Sequence, residues 1–76
     1  MNTKYPTDIN LETTLHPGEP FFLVRGQDVY SPAIISLYGT LLHANGDKLG
    51  SLQIEALAEG VRMWQKANPD LVKHPD

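Results

Sequence analysis

Cysteine is absent from the chain, which excludes a disulfide framework, a thiolate metal site and a thiol nucleophile. No run approaches the ~18 consecutive apolar residues that a membrane-crossing helix needs. The opening residues also lack the basic, apolar and small-residue succession of a secretory signal. The expected location is therefore the cytoplasm, with no membrane partner. Basic charge is scarce too: 6 Lys and Arg stand against 9 Asp and Glu, for a net charge of −3. A duplex-binding surface carries a basic excess to neutralise phosphates, so generic nucleic-acid binding is disfavoured. The carboxylates are scattered rather than massed, and mimicry of DNA is poorly served as well.

Catalytic chemistry is equally thin. No nucleophile stands with a base, no His and carboxylate pair falls at metal spacing, and Gly18, Gly26, Gly39, Gly46, Gly50 and Gly60 are too dispersed for a phosphate-cradling loop. The expectation is a protein that is not an enzyme and holds no metal and no cofactor. His16 has no partner at ligand spacing. His43 falls in the last turn of a predicted helix, where a partial positive charge complements the dipole.

What the chain does contain is organised around residues 18–38, GEPFFLVRGQDVYSPAIISLY. Phe21, Phe22, Leu23 and Val24 form a short aromatic, aliphatic and β-branched run between Pro20 and Gly26, which favours an extended segment over a helix. Ser31-Pro32 then has the form of a helix start, with serine as N-cap and proline at the first helical position. Between these elements lie Arg25, Gln27 and Asp28, on the kind of pinned loop that commonly displays binding groups. Two readings of that trio stand. In one, Asp28 serves the helix start, Arg25 pairs with Asp28 or Glu19, and Gln27 is a turn residue. In the other, Arg25 grips an anionic group with its planar fork and Gln27 fixes orientation by donating and accepting.

With 76 residues the chain is one small domain, and oligomerisation is a natural route to more core. Residues 1–17 read as a flexible or docking arm, residues 18–69 as the domain, and residues 70–76 as a polar tail. The first helix is predicted from Ser31 or Pro32 to Ala44, with Ile34, Leu37, Tyr38 and Leu41 on its buried face and Ile35 and Leu42 widening it. Asn45-Gly46 ends it. Residues 47–50 form a tight connection, and Ser51 caps a second, antiparallel helix that Asn68-Pro69 terminates. Ile54, Leu57, Ala58, Val61 and Trp64 mark its buried face. Gly60, costly in a helix interior, implies close approach of another backbone. The fold expected is mainly α: a short extended N-terminal segment followed by an antiparallel two-helix hairpin, completed by oligomerisation. Tyr30, Tyr38 and Trp64 are candidate stacking platforms, with Arg25, Arg62, Lys66 or Lys73 to meet phosphate. Tyr38 and Trp64 read equally as core.

Glu19-Pro20, Phe22, Val24-Arg25-Gly26-Gln27-Asp28 and Ser31-Pro32-Ala33, with a late Met63 and Gln65, resemble small proteins encoded by bacteriophages and prophages. Their pattern is an E-P-x-F-x-L-R-x-Q-D segment, then A-P, then a helical pair with a late tryptophan. The resemblance covers Gly18 to about Lys66, with Val24 in place of leucine and Ser31 in place of alanine. No activity is established for that family, so the resemblance implies an origin in a bacterial host cell and not a mechanism. Phage accessory proteins of this size are often non-catalytic inhibitors of host defence. Two functions are thus expected: sequestration of a small anionic ligand such as an immune signalling nucleotide, with Arg25, Gln27, Asp28, Tyr30, Arg62 and Lys66 as the ligand-binding set, or a protein interaction module covering a host or phage protein.

Overall fold

Two helical repeats separated by an Asn-Gly pair dictate a hairpin. In a computed structural model that describes residues 14–75, helix α1 spans Ser31–Ala44 and helix α2 spans Lys48–Ala67, with a 3-10 turn at Pro69–Leu71. The expected arm lies outside the described residues as far as position 13. Gly46 takes a φ of 89°, the left-handed region that glycine enters without a Cβ penalty. Its N–H donates to the His43 carbonyl at 3.1 Å and the Asp47 N–H to the Leu42 carbonyl at 2.9 Å, which closes the end of α1. Asn45 stays at a φ of −98° and instead donates its side-chain amide to the Leu41 carbonyl at 2.8 Å.

Both predicted caps are corrected. Asp47, not Ser51, starts α2: its carboxylate accepts the Gly50 N–H at 2.8 Å. Residues 47–50 are therefore the cap and first turn of the helix rather than a connection. A carboxylate satisfies an orphan donor and also meets the positive end of the helix. Replacing Asp47 by alanine is expected to lower stability by about 1 kcal/mol, read as a shifted midpoint in urea unfolding at unchanged slope. At α1 the N-cap is Tyr30 and no side chain caps the helix. Ser31 is the first helical residue, fully buried, and its hydroxyl has no partner among the described residues. The start is closed from upstream, where the Asp28 carboxylate accepts the Tyr30 N–H at 2.8 Å and the Asp28 carbonyl accepts the Ser31 N–H at 3.0 Å.

The helices meet where the side chains are smallest. A Cβ placed on Gly39 would lie 3.3 Å from Ile54 Cγ2 and 2.9 Å from Glu55 Oε1, so the backbone of α1 presses directly on α2. Ser36 accepts from Arg62 Nη2 at 2.7 Å and donates to Glu55 Oε2 at 3.4 Å. Contacts advance along α2 as they recede along α1, which makes the pair antiparallel. Ile54 and Ala58 are the buried apolar residues among those described, with Ile35, Leu42 and Val61 half-buried beside them.

This contact corrects the predicted face of α1. Ile34, Leu37, Tyr38 and Leu41 are exposed, and the side turned to α2 carries Pro32, Ile35, Gly39 and Leu42. Small residues allow close backbone approach, and the larger apolar stripe is left on the outside. On α2, Leu57 and Trp64 are likewise exposed.

Phe21–Val24 form no strand, and none is present among the described residues. An extended segment becomes a strand only when a second backbone answers its N–H and C=O groups. The one β-bridge among the described residues joins Asp28 to Lys73 instead, and Phe22 is 82% exposed. No helix of the described residues is long and apolar enough to cross a membrane.

Candidate functional site

Along α2 the inward stripe runs Ile54, Ala58, Val61, Gln65, so a polar side chain occupies a half-buried position of helical period. Such a group needs partners. The Gln65 amide finds them by donating to the Gly26 carbonyl at 2.9 Å and to the Asp28 carbonyl at 2.8 Å. One side chain thereby holds the loop between the Phe21–Val24 run and α1. A second hold comes from the tail: the Lys73 N–H donates to the Gln27 carbonyl at 2.7 Å, and the Val29 N–H donates to the Lys73 carbonyl at 2.9 Å. Inside the loop, the Asp28 N–H donates to the Arg25 carbonyl at 3.0 Å.

The fixed loop stands off from α2 and leaves a pocket of about 620 Å³. Arg25 and Gln27 form its polar rim, Leu57, Val61 and Trp64 its helical wall, and Leu71 of the 3-10 turn its far edge. Gly26 packs on Val61 at the base, where an added Cβ would find ordinary contact at 3.8 Å. Arg25 is exposed and makes no hydrogen bond or ion pair with any described residue. The arrangement pairs a free guanidinium with an apolar wall that includes an indole 40% exposed. Chemically it suits a ligand with a flat apolar body and one anionic group.

The expected ligand set divides. Arg25 and Gln27 line the pocket together. Asp28 has its carboxylate on the Tyr30 N–H, the local role foreseen in the structural reading of the loop. Tyr30 sits at the start of α1 and does not line the pocket. Arg62 reaches Ser36 at 2.7 Å and Glu59 at 3.4 Å, in a group that joins α2 to α1. Lys66 lies on the same charged flank, outside the pocket. Trp64, read from sequence as core or platform, is a wall of the pocket. Gln65 had no assigned role, although a glutamine on an otherwise apolar stripe was its signal.

Among the described residues no group of His, Asp or Glu side chains is placed to hold a metal ion. No family model, no curated protein and no solved structure matches this chain.

Proposed function

We propose that this chain is a non-catalytic binding protein of the phage type that sequesters a small anionic ligand in the pocket between Arg25 and Trp64. The observation that supports it most is the unpartnered Arg25 guanidinium at the rim of an apolar cleft whose loop is held by Gln65. A nucleotide belongs to the class that this chemistry accepts, with the base on the indole and phosphate on the guanidinium. An immune signalling nucleotide is the member that the resemblance to phage proteins suggests.

The chain has a single tryptophan, and it stands in the pocket, so its fluorescence reports occupancy directly. Titration with a panel of cyclic and linear nucleotides, with nucleosides and inorganic phosphate alongside, is expected to quench Trp64 and to raise the melting temperature for at least one nucleotide. Arg25→Ala should weaken that binding by about tenfold or more, the worth of a charge-assisted hydrogen bond. Arg62→Ala should not, because Arg62 lies outside the pocket. A panel without any response would overturn the reading.

A second reading is favoured by Phe21, Phe22 and Leu23, all exposed immediately before the pocket loop. A contiguous exposed apolar segment of that kind marks protein contact surfaces. Under it, the protein covers a host or phage protein, and Phe22→Asp abolishes that association while leaving nucleotide titrations unchanged.

A further inference from the structure

Helix α2 carries two apolar faces. One holds Ile54, Ala58 and Val61 against α1. On the other, Leu49 and Leu52 are exposed at 70% and 69%, Met63 at 65%, and Ala56, Gly60 and Trp64 continue the stripe. A helix apolar on opposite sides is a helix meant to be covered on both. Gly60 stands in the middle of the outer face, and an added Cβ there would meet nothing within 4 Å. Nothing inside the chain therefore requires glycine at a mid-helix position, where it weakens the helix.

Charge along the same helix narrows the choice of what covers this face. Glu55 and Glu59 precede Gly60, and Arg62 and Lys66 follow it. An antiparallel second copy related by a two-fold axis between Gly60 and Val61 brings Glu55 level with Lys66 of that copy and Glu59 level with Arg62. The same axis sets Leu57 opposite Trp64 and lets the two helices cross closely at Gly60. Within one chain Glu59 and Arg62 already approach to 3.4 Å, so the pairing extends an existing ion pair into a four-charge cluster. The antiparallel sense also opposes the two helix dipoles. Helix α1 offers no comparable register, because its exposed stripe has no Asp, Glu, Lys or Arg beside it.

We infer that the outer face of α2 is a self-association surface on which a second copy of this chain packs antiparallel, crossing at Gly60. The inference stands on the α2 face and not on the ligand reading, and it requires no ligand to test. It does place Leu57 and Trp64 of each copy at the border of the other's pocket.

Sedimentation equilibrium of the full chain without ligand is expected to show a dimer. Gly60→Leu should raise the dissociation constant by about tenfold or more while keeping the helical circular dichroism, because a single chain has open space at that position and leucine is the better helix former. Glu55→Lys should weaken the dimer, and Glu55→Lys combined with Lys66→Glu should restore it. A native chain that stays monomeric at the highest soluble concentration overturns the inference. So does a dimer indifferent to Gly60→Leu, which would assign the contact to another face.

Discussion

Gly39→Leu is expected to unfold the hairpin or to reduce its stability by about 3 kcal/mol, the upper range for overpacking. The reason is the contact at the helix crossing, where even a methyl would come within 3.3 Å of Ile54 Cγ2. Ile54 is one of the buried apolar residues of the described core, together with Ala58. Pushing it aside separates the helices along the line that holds them. Alanine at the same position is a milder change, because the nearer neighbour is the tip of the flexible Glu55 side chain. Alanine also favours the helix by about 1 kcal/mol over glycine. Urea unfolding of both variants checks the ordering. Equal stability of the leucine variant and the native chain would mean that the helices do not cross at Gly39.

Gln65→Leu carries the second large effect. The substitution preserves side-chain bulk and helix preference but removes the donors to the Gly26 and Asp28 carbonyls. Two half-buried acceptors lose their partner, at a combined cost of about 2 kcal/mol. More tellingly, the loop that carries Arg25 and Gln27 loses its hold on α2. Nucleotide-induced quenching of Trp64 should therefore fall even at temperatures where circular dichroism shows the variant fully helical. Gln65→Glu should do the same or worse, since a carboxylate faces the carbonyl oxygens without a donor. A Gln65→Leu chain with native stability and native titrations would show that the loop is held by other means.

The helices were legible because their signals are local. Apolar spacing, the Asn45-Gly46 stop and Asn68-Pro69 all act within a few residues of where they are read, and both helices end where they were expected to. The cap of α2 was misread because Ser51 stands just before the apolar repeat, whereas Asp47 acts across Lys48 and Leu49 on the Gly50 N–H. The face of α1 was misread for a different reason. Hydrophobicity counts Ile34, Leu37 and Leu41 as more apolar than Gly39, yet close packing selects the side that lets backbones approach. Phe21–Val24 has strand-like residue types, but whether a partner strand exists is settled elsewhere in the chain. The site shows the same limit. Arg25 and Gln27 could be singled out from the loop itself, while the residues that frame them, Trp64, Gln65 and Leu71, lie some forty positions on. No periodicity connects positions so far apart.

The bridge between Lys73 and the 27–29 backbone sets an order in time. The hairpin closes through neighbours in sequence and can form early, whereas this clasp joins segments near opposite ends of the described chain and must wait for them to meet. The cleft is consequently the last part of the molecule to come into being. A nascent or partly melted chain can be thoroughly helical and still have nowhere to receive a guest.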